Sequence, residues 1–139
     1  MNILVVCTGN TCRSPMAAAM LREMLKNAGH TDIIVKSAGT MAFEGSKASR
    51  HAVEAMAEKG IDLKSHRSVQ LTQSLLQEAD RILVMTQPHK GILTLDFGQD
   101  PKKITVLDVP DPYGGSLDDY RRCRDAIEAA LTRYLEALK

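Results

Sequence analysis

The chain lacks the features that mark secreted, membrane-spanning or disulfide-stabilised proteins. It has no tryptophan and only 4% aromatic residues, and its three cysteines are too few and odd in number for a disulfide framework. No apolar run approaches the ~18 residues that a membrane-spanning helix needs. Residues 1–6 become apolar at once, without a basic leader or a cleavage site. These absences predict a cytoplasmic protein with reduced thiols that does not act at a membrane.

Charge of one sign and clustered metal ligands are also missing. The formal net charge is +1, which argues against a nucleic-acid-binding surface. The four histidines stand apart from one another and from the cysteines, so no metal site is expected. With 44% hydrophobic and 25% charged residues, a chain of this length has the composition of one compact domain, predicted over residues 1–139.

Short apolar, β-branched runs alternate with segments rich in Ala, Leu, Met, Glu and Lys. The runs predict strands at residues 2–6, 32–37, 81–85 and 103–107. The other segments predict helices at residues 16–28, 49–59, 87–95 and 117–138. Ser14 is expected near the cap of the first helix and Pro15 in its first turn. This alternation predicts an α/β fold, a single-domain four-stranded parallel sheet with helices on both faces.

The loop after the first predicted strand has the form Cys-x5-Arg-Ser, from Cys7 to Ser14. In such folds ligands bind beyond the carboxyl ends of the strands, where a loop leading into a helix points backbone N–H groups at an anion. Gly9 and Asn10 tolerate the left-handed conformations that this loop needs, and Arg13 offers two parallel N–H donors to phosphate oxygens. The same positive field favours the nucleophilic thiolate of Cys7. A phosphate-binding loop with a cysteine nucleophile is therefore predicted here.

Four segments resemble the recurring motifs of the low-molecular-weight protein tyrosine phosphatase family. They occur in the family's order and with fitting spacing along the whole chain. Residues 6–15, Val-Cys-Thr-Gly-Asn-Thr-Cys-Arg-Ser-Pro, resemble the signature loop, and residues 111–115, Asp-Pro-Tyr-Gly-Gly, resemble the general-acid loop. Residues 37–40, Ser-Ala-Gly-Thr, and 66–71, His-Arg-Ser-Val-Gln-Leu, are similar to the two other segments.

The resemblance implies a two-step hydrolysis through a phosphocysteine intermediate, without metal or cofactor. Cys7 is expected to attack phosphorus, Asp111 to protonate the leaving group and then activate water, and Arg13 to hold the phosphoryl oxygens. The implied phosphate-binding residues are Thr8, Gly9, Asn10, Thr11, Cys12, Arg13 and Ser14. The residues expected to support the loop are Asn10, Ser14, Ser37 and His66. The expected partners are phosphorylated proteins, with neither nucleic acid nor membrane, and the chain is expected to be a monomer or weak homodimer.

Thr11 bears on which phosphorylated residue is hydrolysed. Many tyrosine phosphatases of the family carry Ile or Leu at this position, whereas a Thr resembles the bacterial protein-arginine phosphatase branch. Thr removes apolar bulk that would pack on a phenyl ring and adds a polar contact for a guanidinium. Phe43 and Tyr113 are candidate pocket walls for either substrate. The sequence favours a protein-arginine phosphatase; a tyrosine phosphatase is the alternative, and an arsenate reductase of related fold is a more distant one.

Three further groups of residues have competing or plain structural interpretations. Cys12 is a candidate disulfide partner that protects or switches off Cys7, and it is equally a small buried filler. Cys123 is expected to pack in the core, which makes it a poor resolving thiol for an arsenate reductase. Asp108 is interpreted as an ordinary loop carboxylate, and the arginines at positions 121, 122 and 124 as a solvated helix face.

Overall fold

A computed structural model describes residues 1–138 of the protein and confirms the predicted parallel α/β architecture. The strands are β1 (Asn2–Cys7), β2 (Ile34–Gly39), β3 (Arg81–Val84) and β4 (Ile104–Val106). The helices are α1 (Arg13–Asn27), α2 (Arg50–Ala57), α3 (Gln73–Glu78), α4 (Gln87–Leu95) and α5 (Leu117–Leu138). All strands pair in parallel, in the order β2-β1-β3-β4. None of the helices within residues 1–138 has the length and apolar composition of a membrane-spanning helix.

Alternate residues of β1 divide the apolar core between the two faces of the sheet. Ile3 and Val5 pack in a cluster with residues of α1, α2 and α5, whereas Leu4 and Val6 pack with residues of α3 and α4. All four side chains are at most 2% exposed. Because both faces of this strand are covered, its sequence reads as an unbroken apolar run.

The strand order reverses at β1. From β1 the chain crosses to β2 on one side, and then to β3 and β4 on the other. In parallel α/β sheets a crevice opens where the order reverses, beyond the carboxyl ends of the strands. The loop of residues 8–12 leaves β1 at this point, and α4 begins immediately after β3 in the neighbouring position.

The first two helices differ from the prediction at their ends. Helix α1 begins at Arg13, three residues before the predicted position 16, and its N-cap is Cys12. Ser14 therefore lies inside the first turn instead of near the cap, and its hydroxyl faces Cys7. Helix α2 is shorter than the predicted segment 49–59 because Ser49 is its N-cap and the helical hydrogen bonding ends soon after residue 57.

The second strand and the third helix also depart from the prediction. Strand β2 begins two residues later than expected and extends to Gly39, because Ala38 and Gly39 pair with Val6 and Cys7 of β1. The short helix α3 is absent from the prediction. Its first turn is capped by Thr72, whose side chain accepts a hydrogen bond from the backbone of Leu75 at 3.2 Å.

The arginines of α5 are not all solvated, which corrects the prediction for Arg124. This residue is 7% exposed and donates to the Ala55 carbonyl oxygen at 2.9 Å and to the Glu58 carboxylate at 2.7 Å. Arg121 donates to both oxygens of Glu58. Hydrogen bonds from Arg121 and then Arg124 lower the pKa of Glu58 to about 2. The carboxylate at the end of α2 thus ties that helix to α5.

Candidate active site

A cavity of about 240 Å³ lies beyond the carboxyl end of β1. It brings together the three predicted catalytic residues, Cys7, Arg13 and Asp111. Its wall consists of Cys7, Thr8, Gly9, Thr11, Cys12, Arg13, Asp111 and Tyr113. Asn10 and Ser14, which the sequence also assigned to phosphate binding, are fully buried and lie outside this wall.

The thiol of Cys7 has a hydroxyl neighbour whose proton is free to reach it. Cys7 is 3% exposed, and its Sγ lies 2.9 Å from Ser14 Oγ. Asn10 Nδ2 donates to the same Ser14 oxygen at 2.7 Å. Because that oxygen already accepts a hydrogen bond, the serine's own proton can be donated to the sulfur. A serine hydroxyl at this position is placed to donate a hydrogen bond to the sulfur when the sulfur acts as a nucleophile or as a leaving group.

Asn10 fixes the shape of the loop through its backbone and its side chain. Its φ is +57°, the left-handed region that asparagine tolerates better than most residues. The backbone N–H of Val69 donates to Asn10 Oδ1 at 2.9 Å, which leaves Nδ2 to donate to Ser14 and, at 3.0 Å, to Ser37. The Nε2 of His66 donates to the Asn10 carbonyl oxygen at 2.7 Å. The residues expected to support the loop therefore do meet around it.

The end of β2 packs against the loop backbone so closely that only glycine fits. A Cβ on Gly39 would lie 2.4 Å from the carbonyl oxygen of Thr8. The following N–H groups, of Thr40 and Met41, donate to the carbonyl oxygens of Cys7 and Thr8, each at 2.9 Å. This close approach gives a physical reason for the glycine in the Ser-Ala-Gly-Thr segment.

The loop carries backbone hydrogen-bond donors that have no partner in the described part of the chain. The backbone N–H groups of residues 8–13 donate to no acceptor within residues 1–138. Arg13 is 4% exposed; its Nη1 donates to the Val109 carbonyl oxygen at 2.9 Å, and its Nη2 lies 3.7 Å from Asp111 Oδ2. Free amides at a helix N-terminus beside a guanidinium form a site for a phosphate-like anion. Within residues 1–138 no group of three or more His, Cys, Asp or Glu side chains is placed to hold a metal ion.

The family model described as low molecular weight phosphotyrosine protein phosphatase matches residues 2–139. The chain belongs to this family. The protein-arginine-phosphatase of Bacillus subtilis is 43% identical, over 100% of this chain and 97% of that protein. A protein of Ralstonia solanacearum named "Probable low molecular weight protein-tyrosine-phosphatase EpsP" is 54% identical, over 93% of this chain and 85% of that protein. A solved structure of YwlE arginine phosphatase has a TM-score of 0.93 and 42% identity, covering 99% of this chain and 95% of that one.

In this member of the low molecular weight phosphatase family, the predicted general acid stands at the mouth of the cavity. The Asp111 side chain is 50% exposed, and its Oδ1 accepts the backbone N–H of Tyr113 at 3.0 Å. Tyr113 lines the cavity, whereas Phe43 is not among the residues of its wall, so Phe43 stays a prediction. Phe43 is instead an exposed side chain in the segment after β2. Asp108 is exposed and lies outside the cavity wall, as an ordinary loop carboxylate would.

The two other cysteines differ in their surroundings. Cys12 is a free thiol whose Sγ lies 3.3 Å from both the Ser49 and the Tyr120 hydroxyl oxygens. Burial, and then the contact with Cys12, raises the pKa of Tyr120 to about 12, so its hydroxyl stays protonated at neutral pH. Burial raises the pKa of Cys123 to about 12. Cys123 is therefore a protonated, unreactive thiol at neutral pH, whereas Cys12 shares the cavity wall with Cys7.

Sequence reasoning missed His89 as part of the site. It is 5% exposed, and its Nε2 and Nδ1 lie 2.9 Å from the hydroxyl oxygens of Thr8 and Thr86. Burial, and then the charge of Arg13, lowers the pKa of His89, which keeps the ring neutral at neutral pH. Its position just after β3, the strand beside β1 at the crevice, is a signal that could have found it.

Proposed function

We propose that this chain is a protein-arginine phosphatase that works through a phosphocysteine intermediate. The observation that carries the proposal is Thr11, which lines the cavity beside Cys7 and Asp111 where a leaving group would lie. Two relatives of 43% and 42% identity are named protein-arginine-phosphatase. The YwlE structure is that of a variant in which serine replaces the active-site cysteine and is phosphorylated. That observation on a relative supports a covalent phosphoenzyme here.

In the first step the Cys7 thiolate attacks the phosphorus of phosphoarginine. The S–P bond forms as the P–N bond breaks, and Asp111 gives its proton to the departing guanidinium nitrogen. The equatorial oxygens of the phosphoryl group accept hydrogen bonds from the free N–H groups of residues 8–13 and from the guanidinium of Arg13. Ser14 Oγ lies 2.9 Å from the sulfur, where its hydroxyl is placed to donate a hydrogen bond to the attacking atom.

In the second step water releases phosphate from Cys7. Asp111, now deprotonated, takes a proton from water, whose oxygen forms a bond to phosphorus as the S–P bond breaks. The sulfur leaves as a thiolate, which the same serine hydrogen bond stabilises. The half-exposed position of Asp111 allows it to reach both the leaving group and the incoming water.

Two polar side chains of the cavity wall, Thr11 and Asp111, support a guanidinium as the leaving group. Tyr113 is the one aromatic side chain in the wall, and it is 80% exposed. Within residues 1–138 the Thr11 hydroxyl has one hydrogen-bonding neighbour, the weakly bonding Cys12 sulfur at 3.7 Å. The Asp111 carboxylate attracts the cationic guanidinium of the product. A phenyl ring would find one aromatic partner in this wall, the exposed Tyr113.

Two other activities compete with this proposal. A tyrosine phosphatase is favoured by the name of the Ralstonia relative, which is 54% identical. An arsenate reductase would need further resolving cysteines, besides Cys12, to release an intermediate on Cys7. The buried and protonated Cys123 is badly suited to that task, since the thiolate is the attacking form.

The variant Thr11→Ile tests the substrate. We expect the ratio of kcat/KM for phosphoarginine over phosphotyrosine peptides to fall at least about tenfold, because a polar contact to a charged group is lost and apolar bulk is added. Thr132→Ile makes the same chemical change on the exposed face of α5 and should leave the ratio unchanged. Parallel responses of both peptides to Thr11→Ile would remove the basis for arginine selectivity and favour the tyrosine phosphatase.

Cys12 is proposed as the redox partner of Cys7. Peroxide transfers an oxygen to the Cys7 thiolate and gives a sulfenic acid; the Cys12 thiol then attacks that sulfur, and the S–S bond forms as water leaves. Support comes from the location of both thiols in one cavity wall. The disulfide would halt oxidation of the nucleophile before the irreversible acids.

A further inference from the structure

A second concavity of about 540 Å³ adjoins the catalytic cavity. The two share Thr8, Arg13 and Asp111 in their walls, so a molecule bound at Cys7 has a direct path into the second one. Met41, which follows β2, forms part of the far wall and is 76% exposed. The residues that line this groove alone are not needed to hold a phosphoryl group, and the proposed reaction does not use them.

One face of α4 forms the long wall of the groove. Pro88, Ile92 and Asp96 are spaced four residues apart and therefore lie one above the other on the same side of the helix. Phe97 adds an aromatic ring at the far end. Apolar side chains therefore line the wall formed by α4, and the Asp96 carboxylate lies at the end of this wall farthest from the catalytic loop.

Asp96 occupies a position that does not favour a carboxylate. It is the C-cap of α4, where the helix dipole is negative and repels an anion. It is exposed, and within residues 1–138 no cation lies within ion-pair distance of it. A free carboxylate at the end of an apolar groove complements a ligand with an aliphatic stem and a positive head.

The length of α4 between the catalytic loop and Asp96 indicates how far the positively charged residue would lie from the phosphorylated residue of a substrate. His89 contacts Thr8 of the catalytic loop, and from His89 to Asp96 the helix rises about 10 Å at ~1.5 Å per residue. An extended peptide covers about 10 Å in three residues. A lysine or arginine two or three residues from the phosphorylated residue would therefore bring its charge to Asp96.

We propose that this groove is a specificity subsite for the substrate polypeptide and takes a lysine or arginine two or three residues from the phosphorylated side chain. The aliphatic stem lies on Met41, Ile92 and Phe97, and the cationic head pairs with Asp96. This proposal rests on the proposed protein phosphatase function, because the occupant is the chain that carries the phosphoryl group. It holds equally for a phosphoarginine and a phosphotyrosine substrate.

Matched peptides and two variants test the subsite. Phosphoarginine and phosphotyrosine peptides carry either lysine or norleucine, which shares the stem but not the charge, at each position from one to four residues on either side. The wild-type protein should show a kcat/KM about threefold to fivefold higher for lysine at two or three residues on one side, the range expected for an exposed ion pair. Asp96→Asn should bring that ratio close to one, and added salt should reduce it in the wild-type protein. Glu136→Gln removes an exposed carboxylate from the distant α5 and should leave the ratio as it is.

Each outcome separates the subsite from the proposed function. Turnover of the peptides with a lysine ratio near one at every position, or a ratio that Asp96→Asn leaves intact, would overturn the subsite and leave the phosphatase function standing. Release of phosphate from an aryl phosphate but from none of the peptides would refute the protein phosphatase function, and the subsite with it.

Discussion

Replacement of Asn10 by alanine is expected to destabilise the fold strongly, although the residue makes no contribution to the apolar core. The side chain is fully buried and forms three hydrogen bonds, to Ser14, Ser37 and the backbone N–H of Val69. Its backbone holds a φ of +57°. Asn10→Ala removes the three hydrogen bonds and places a less tolerant residue in the left-handed region.

The magnitude follows from these contacts. Each hydrogen bond contributes about 0.5–1.5 kcal/mol net, and a buried group left without a partner costs more. Alanine in the left-handed region costs roughly 1 kcal/mol more than asparagine or glycine. The expected loss in the free energy of unfolding is about 3–5 kcal/mol, a large share of the ~5–15 kcal/mol of a typical domain. The Asn10→Gly variant should recover about 1 kcal/mol of that loss, because it relieves the backbone term alone.

Equilibrium unfolding in urea measures the loss. Far-UV circular dichroism is the appropriate probe because the chain has no tryptophan. The midpoint should fall by roughly 2 M at an m-value of ~1–3 kcal/mol/M. Asn27→Ala, at the exposed end of α1, is the matched control and should change stability by no more than about 0.5 kcal/mol. A loss below about 1 kcal/mol for Asn10→Ala would show that the hydrogen-bond network is not what holds the loop.

Three further predictions concern the acid, the redox partner and the helix contact. Asp111→Asn should slow phosphate release by about 10²–10⁴-fold while vanadate binding persists, and the loss should be smaller for aryl phosphates that have good leaving groups. An equal loss of rate for all leaving groups would show that another residue is the general acid. After peroxide treatment dithiothreitol should restore the wild-type enzyme but not Cys12→Ser, and equal recovery of both would exclude the disulfide. Because the pKa of Glu58 is lowered on folding, its contribution is complete above the unfolded value of about 4 and is lost as pH falls towards about 2. Glu58→Gln should therefore lower the Tm at pH 6, and the difference in Tm from the wild type should disappear as the pH falls from about 4 to about 2. A difference in Tm that stays constant with pH would show that the charged carboxylate does not stabilise the contact between the helices.

The sequence predicted those elements whose signals are local. Helices α4 and α5 have the predicted bounds because residues close in sequence determine both their ends and their apolar periodicity. Helix α3 was not predicted because its six residues are too few to show an apolar periodicity. The N-cap Thr72 is the sequence signal for its start. The end of β2 depends on pairing with β1 and on the closeness of Gly39 to Thr8, and neither contact can be read from residues 34–39 alone.

The candidate site divides in the same way. The geometry brings Cys7, Arg13 and Asp111 together as the resemblance implied, because the motif fixes one loop and the fold supplies the other. His89 and Phe43 could not be placed, since their positions depend on how α4 and the segment after β2 lie beside the loop. The solvated interpretation of Arg124 failed for a comparable reason: its partner Glu58 is distant in sequence and is brought near by the packing of α2 on α5.

The loop is held by atoms that do not depend on the side chain of residue 11. The carbonyl oxygen of Thr11 accepts the backbone N–H of Ser49 at 2.9 Å, and the remaining support uses Asn10 and backbone groups of residues 7, 8 and 10. The Thr11 side chain lines the cavity and takes no part in that support. Under the proposed role of Thr11, a single substitution at this position alters which phosphorylated residue is accepted while the nucleophile and its anion site stay in place. Such separability would allow a lineage to diverge between phosphoamino acids in small steps, without passing through an inactive ancestor.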